Sequence, residues 1–178
     1  TKNYTELFTV LSIGFILLSP EVYHVFAGKE YWGGTELITI FAMGFYMIFL
    51  YSFHVNYEFY NRKTVTIAIG TMGAAIINII LNYILIKQYG ILGAAISTFI
   101  SYFIQYIFHV ICTKMIEKKV EKKYVISWKI LLPYVIVFYI CAVVCLYCQN
   151  NFTIVRWLVA ILLGIFEILQ IKKRKAIF

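Results

Sequence analysis

The sequence contains no aspartate, and its acidic side chains are eight glutamates in 178 residues. Charged residues make up 13% of the chain, whereas soluble domains carry roughly 25%. Without Asp the standard Ser-His-Asp triad is excluded, although Glu could replace the acid. No H-E-x-x-H motif, phosphate-cradling Gly-rich loop or clustered carboxylate pair is present. We therefore expect a protein that is not an enzyme and that holds no metal or organic cofactor.

Apolar residues are abundant instead: 62% of the chain is hydrophobic and the mean hydropathy is +0.84. Six weakly charged segments are each about long enough to cross a bilayer. They lie at about 7–26, 37–59, 65–86, 90–113, 129–148 and 152–171. This pattern excludes a soluble fold, and no alternating pattern indicates a barrel. The predicted fold class is an all-α polytopic membrane protein, with residues 1–178 as one transmembrane domain.

The basic residues predict the orientation of the spans. Most of them fall at one membrane face: Lys2, Arg62, Lys63, Lys114, Lys118, Lys119, Lys122, Lys123, Lys129, Lys172, Lys173, Arg174 and Lys175. Only Lys29, Lys87 and Arg156 fall at the other. The positive-inside rule therefore predicts that both ends of the chain are cytoplasmic. Residues 114–123 could extend a helix out of the membrane and attract anionic lipids, so we expect membrane lipids as partners and no nucleic acid.

Cysteine gives little functional signal in this chain. Cys141, Cys145 and Cys148 share a helical face, and the last two form a C-x-x-C. A redox or zinc motif needs a polar setting and, for zinc, a second ligand pair, and neither is nearby. The pattern favours cysteine as a small apolar residue of a membrane helix.

Polar residues inside spans are the candidate functional residues, because burying them in a bilayer is costly. The candidates are Glu21, His24, Glu36, His54, Asn56, Glu58, Asn78, Asn82, Gln105, His109 and Glu167. Asn78 and Asn82 lie one turn apart, and their spacing favours helix packing over contact with a sugar or phosphate. His54, Glu58 and Arg62 share a face that could line a cytoplasmic vestibule. An i,i+4 pair between Glu58 and Arg62 at the membrane rim is the simpler alternative.

Three further polar residues lie close to the predicted outer boundary of the membrane. Glu21, His24 and Glu36 are explained most simply by hydration at that boundary. Arg156 lies near one end of the last span and Glu167 near the other.

Small residues predict a close-packed hairpin of the third and fourth spans. The predicted packing residues are Gly70, Gly73, Gly90, Gly93, Ala94 and Ala95, and the short turn at 87–90 makes the two helices antiparallel neighbours. Gly90 can end one helix, and Gly93 admits a close neighbour at the start of the next. These residues predict a scaffold and not a reactive site.

The hairpin also carries a resemblance. Residues 78–98, N-x-x-L-N-Y-I-L-I-K-Q-Y-G-I-L-G-A-A-I-S-T, resemble the C-terminal region of polysaccharide-biosynthesis flippases. These flippases belong to the multidrug/oligosaccharidyl-lipid/polysaccharide exporter superfamily. The Ser19-Pro20-Glu21-Val22 run, the Tyr31-Trp32 pair and the basic Arg62-Lys63-Thr64 turn resemble the same family in order and spacing.

The resemblance implies a transporter of 12 to 14 helices in two lobes, of which these six would be roughly the C-terminal lobe. It implies transport of undecaprenyl-diphosphate-linked oligosaccharides across a bacterial or archaeal cytoplasmic membrane for O antigen or capsule, by alternating access. The implied partners are the lipid-linked oligosaccharide, an N-terminal lobe and glycan polymerase machinery. We expect the sequence, which begins at Thr1, to be a piece of a longer chain. The alternatives are a cation-coupled multidrug antiporter, a membrane-embedded glycan polymerase or acyltransferase, and a non-transporting scaffold.

Overall fold

The structure is a computed structural model that describes residues 2–120, 128–148 and 153–175. These residues form six α-helices: α1 Lys2–Phe26, α2 Thr35–Tyr60, α3 Thr64–Tyr89, α4 Ile91–Val120, α5 Trp128–Cys148 and α6 Thr153–Lys175. A short 3₁₀ helix at Lys29–Gly34 joins α1 to α2. All six α-helices are long and apolar enough to cross a membrane. The chain is therefore an all-α polytopic membrane protein, as its composition predicts.

The predicted spans coincide with the helices and differ mainly at the ends. Helix α1 begins earlier than the predicted span and continues through Pro20 and Glu21. Helix α4 continues beyond residue 113 to Val120, which confirms that the basic run extends this helix. Lys122 and Lys123 lie outside the described residues. A long apolar span tolerates charged residues at its end because they reach the polar interface.

The residues group into two compact units. The first combines Thr1–Thr39 with Ile126–Phe178, and the second is Ile40–Val125. In the first unit, α1 packs against both α5 and α6. Ile13, Ile16 and Leu17 of α1 are buried there, and α5 contributes the fully buried Phe138 and Ala142. Helix α1 therefore supplies the centre of this unit.

Helix α4 is the centre of the second unit, because both α2 and α3 pack against it. Gly44 of α2 faces the α4 backbone: a Cβ there would lie 3.5 Å from the Cα of Phe99. At the α3–α4 turn a Cβ on Gly93 would overlap the Leu85 carbonyl and lie 2.9 Å from the Ile86 nitrogen. Gly93 therefore permits the closest backbone approach in the hairpin, as predicted.

The two turns of this unit use different residues to end a helix. Gly90 ends α3 with a φ of +59°, and its N–H donates to the Ile86 carbonyl at 2.8 Å. At the end of α2, Arg62 donates to the Phe59 carbonyl and Lys63 to the Glu58 carbonyl, both at 2.9 Å. This pair of bonds is a Schellman motif, and Arg62 occupies its left-handed position with a φ of +58°.

Candidate functional site

Asn78 and Asn82 belong to a hydrogen-bonded contact between α3 and α4. The Asn82 amide donates to Asn78 Oδ1 at 2.9 Å, and the Ser97 hydroxyl donates to Asn82 Oδ1. Ser97 is fully buried one turn after Gly93, where the helices are closest. The contact agrees with a packing role for Asn82. Whether either amide also meets a substrate stays a prediction.

The predicted packing residues divide into those that face a neighbour and those that do not. Ala95 is fully buried, Ala94 is half-buried, and a Cβ on Gly70 would lie 2.8 Å from His109 Nε2. No described atom lies within 4 Å of a Cβ built on Gly73 or on Gly90. The prediction is therefore wrong for Gly73, because a Cβ there would meet open space and not a neighbouring helix. Gly90 ends α3 at the turn and does not contribute to packing between the helices.

A cavity with several polar side chains in a mainly apolar wall lies within the second unit, between α2, α3 and α4. Its volume is about 420 Å³. Its lining residues are Ile48, Tyr51, Thr71, Ala74, Ala75, Asn78, Thr98, Ser101, Tyr102 and Gln105. All of these lie near the middle of their helices, and none is charged. The site is therefore a neutral, hydrogen-bonding cavity within the membrane-spanning part of the unit.

The cavity wall offers both donors and acceptors. Thr71, Thr98 and Ser101 donate their hydroxyl protons to carbonyls four residues back along their helices, at 2.7 to 3.0 Å. Their oxygens are therefore acceptors toward the cavity. Asn78 Oδ1 accepts from Asn82, so the Asn78 amide nitrogen is left as a donor.

Gln105 is the most unusual polar residue of this wall. Its side chain is 4% exposed, and it makes no hydrogen bond to any described residue. Its amide atoms are not among the fully buried, unpartnered side-chain atoms of the described residues, so they are accessible from the cavity that Gln105 lines. A ligand or water in the cavity can hydrogen-bond to them.

A second cavity of about 190 Å³ lies between α3 and α4, near the end of α4. Lys63 and Lys119 line it together with Thr66 and Cys112. Both lysine side chains are exposed. This end of the unit is therefore basic, whereas the central cavity is neutral.

Glu58 is buried and paired, but not with the residue predicted from the sequence. Its Oε1 lies 2.9 Å from His109 Nδ1 on α4, and both side chains are 0% exposed. The Glu58–Arg62 pair is wrong, because α2 ends at Tyr60 and Arg62 turns away with a positive φ. Arg62 itself is exposed.

His54 is buried against α4, so it does not line the cytoplasmic vestibule that the sequence suggested. Its Nδ1 lies 3.2 Å from the Thr113 hydroxyl, and its ring meets Tyr106 edge-on. Its side chain is 3% exposed. The structure therefore brings together His54 and Glu58, as the sequence suggested, and adds His109 and Thr113 as their partners.

The first unit contains a different buried ion pair. The Arg156 guanidinium of α6 donates to Glu21 Oε1 at 2.7 Å and to the Leu17 carbonyl at 3.2 Å. Pro20 has no N–H to donate to the Ile16 carbonyl. The Ser19 hydroxyl donates to that carbonyl instead, at 2.8 Å. A cation from another helix therefore holds Glu21, a partner that the sequence did not predict, while 27% of the side chain stays exposed.

Cysteines and metal ligands do not form a cluster in the part of the chain that the structure describes. Among residues 2–120, 128–148 and 153–175, no group of three His, Cys, Asp or Glu is placed to hold a metal ion. Cys112, which lines the second cavity, Cys141 and Cys145 are free thiols. The Cys148 side chain of the C-x-x-C lies outside the described residues.

Helical spacing in the sequence also indicates cavity residues other than the asparagines. Thr98, Ser101, Gln105 and His109 recur at three- and four-residue steps within an apolar span, which places them on one helical face. Thr71 and Asn78 form the corresponding stripe on α3. Tyr51 and Tyr102 were not distinguishable from other aromatic residues.

The fold is that of a multi-pass membrane protein, and its second unit contains two cavities with polar side chains in their walls. No family model, no curated protein and no solved structure matches the chain.

Proposed function

We propose that this chain forms part of a flippase for lipid-linked oligosaccharides. In this proposal it moves undecaprenyl-diphosphate-linked repeat units across the cytoplasmic membrane, by alternating access and without covalent chemistry. The observation that carries the proposal is the neutral polar cavity between α2, α3 and α4. Its amides, hydroxyls and tyrosine rings are the groups that bind uncharged sugars. The resemblance of residues 78–98 to polysaccharide flippases supports the same conclusion.

The two cavities suit different parts of such a substrate. Sugar hydroxyls match the central cavity, because Gln105 and Asn78 offer unsatisfied amide groups there. A diphosphate requires cations, and Lys63 and Lys119 at the second cavity are the described residues that offer them. The polyprenyl tail would stay in the lipid. The isolated 178 residues should not transport lipid-linked sugar in liposomes, since the two-lobed pathway also needs an N-terminal lobe.

Genetic complementation tests the proposal directly. The whole protein that contains this chain should restore surface glycan to a flippase-null strain, measured by glycan staining of membrane extracts. Export of a cationic drug without recovery of glycan would favour the cation-coupled antiporter instead. Recovery of neither, with the protein present in the membrane, would favour a non-transporting scaffold.

Cavity variants test the site within the same assay. Gln105→Leu should lower glycan recovery at least tenfold, because it removes the unpartnered amide from the wall. Gln88→Leu is the matched control, since Gln88 is an exposed amide at the end of α3. Normal export by an Asn78→Leu/Asn82→Leu double variant would remove the two asparagines from the substrate site.

A further inference from the structure

The Glu58–His109 pair is the most costly polar arrangement in the second unit. Both side chains are 0% exposed, and they make one hydrogen bond with each other at 2.9 Å. Glu58 Oε2 and His109 Nε2 are buried and have no hydrogen-bond partner among the described residues. An ionisable group inside a membrane span is by default a sign of function.

Within the part of the chain that the structure describes, no other cation is placed to neutralise the Glu58 carboxylate, so its charge is balanced by His109. From α2 the titratable groups around the pair are Tyr51, which stacks on the His109 ring, and His54, one helical turn before Glu58. From α4 they are Cys112, one turn after His109, and the exposed Lys114. From α3 the pair meets Gly70, which has no side chain. Among the described residues, no arginine or lysine forms an ion pair with Glu58.

Charge balance then fixes the number of protons that the pair prefers. A carboxylate beside a neutral imidazole carries one negative charge, and the doubly protonated pair carries one positive charge. Only the state with a single shared proton is neutral, and a low-dielectric interior favours neutral states. The geometry points to Glu58 and His109 as an exchangeable one-proton site, whose loading is sensed at the cavity wall by Tyr51.

Tyr51 joins this site to the neutral cavity. Its ring stacks on the His109 ring with centroids 5.5 Å apart and planes 21° apart, and the same residue lines the cavity. Gln105, also in the cavity wall, lies one helical turn before His109. A change in the charge of the imidazole therefore acts on a group that a cavity ligand would touch, and the coupling works in both directions.

A proton that leaves the pair would reach water most directly through the second cavity. Cys112, one helical turn after His109, lines that cavity near the end of α4. In the exchange, hydronium or water gives a proton to the pair and the Oε1–Nδ1 contact holds it. Release returns the proton to water. No oxidant, cofactor or covalent intermediate is involved.

Nitrogen-15 NMR of histidine-labelled whole protein in nanodiscs tests this inference. The His109 ring should change its protonation state at a pH distinct from that of His24, an exposed histidine that serves as the internal reference. Glu58→Gln should shift the His109 midpoint by about one pH unit or more, since it removes the group that shares the proton. Glu36→Gln, at an exposed glutamate, is the matched control and should shift nothing.

Tyr51 variants test the link to the cavity. Tyr51→Leu removes the stacked ring and should shift the His109 midpoint measurably, whereas Tyr51→Phe keeps the ring and should not. A His109 signal that follows His24 in the wild type and in Glu58→Gln would overturn the one-proton site. A midpoint that is unmoved in Tyr51→Leu would overturn the link. These readouts involve no sugar, so they can fail while the flippase proposal stands.

Discussion

The two units each contain a buried acid–base pair, and the pairs differ in whether the base can lose its charge. In the first unit Arg156 is a permanent cation, and its second donor serves the Leu17 carbonyl beside Pro20. In the second unit the His109 imidazole can be neutral or charged, and both partners are 0% exposed, whereas the Glu21 side chain of the first pair is 27% exposed. The first pair is therefore suited to holding helices together. The second is suited to exchanging a proton.

Removal of the permanent cation should give the largest loss of stability. Arg156→Met leaves Glu21 and the Leu17 carbonyl without their donor. Loss of one partner of a buried pair costs about 3–5 kcal/mol, and the lower end applies because the Glu21 side chain is 27% exposed. Thermal unfolding of the purified protein in detergent measures the change. Lys87→Met removes an exposed cation as the control, and an equal loss there would contradict the role of the pair.

A methyl group at Gly70 should disturb the titratable pair from the α3 side. The added Cβ would lie 2.8 Å from His109 Nε2 and 2.9 Å from the Phe108 ring, so Gly70→Ala should destabilise by about 1–3 kcal/mol. Gly73→Ala, one turn along α3, meets open space and should stabilise by about 0.5–1 kcal/mol. The stabilities of the two variants are compared by their denaturation midpoints. The same sign for both would contradict the close contact at Gly70.

The Ser19 hydroxyl should contribute a smaller amount at the proline of α1. Ser19→Ala leaves the Ile16 carbonyl without a donor and should cost about 1 kcal/mol. Ser52→Ala is a matched control, because Ser52 makes the same bond three residues back to Phe49 in a helix without proline. Unfolding midpoints should fall for Ser19→Ala only. Equal shifts in the two variants would mean that the missing N–H of Pro20 does not make the Ser19 hydrogen bond more important than that of Ser52.

Neutralisation of Glu58 should change stability least. Glu58→Gln keeps a hydrogen-bonding group beside His109 and removes no net charge from a pair that shares one proton, so the expected loss is under about 1 kcal/mol. The same unfolding assay measures it. A loss as large as that of Arg156→Met would mean that Glu58 carries a full charge in the folded state, and the contrast between the two pairs would disappear.

The amino-acid sequence by itself determined the six spans and the α3–α4 hairpin, because apolar runs near 20 residues and small residues beside a short turn permit few other arrangements. It also identified Glu58, His54 and Asn82 as polar residues that need partners. Only the tertiary structure decided which partners they have. His109, Ser97 and Thr113 lie 15 to 59 residues away along the chain. Helical periodicity fixes the face of one helix, but packing between helices decides what that face meets.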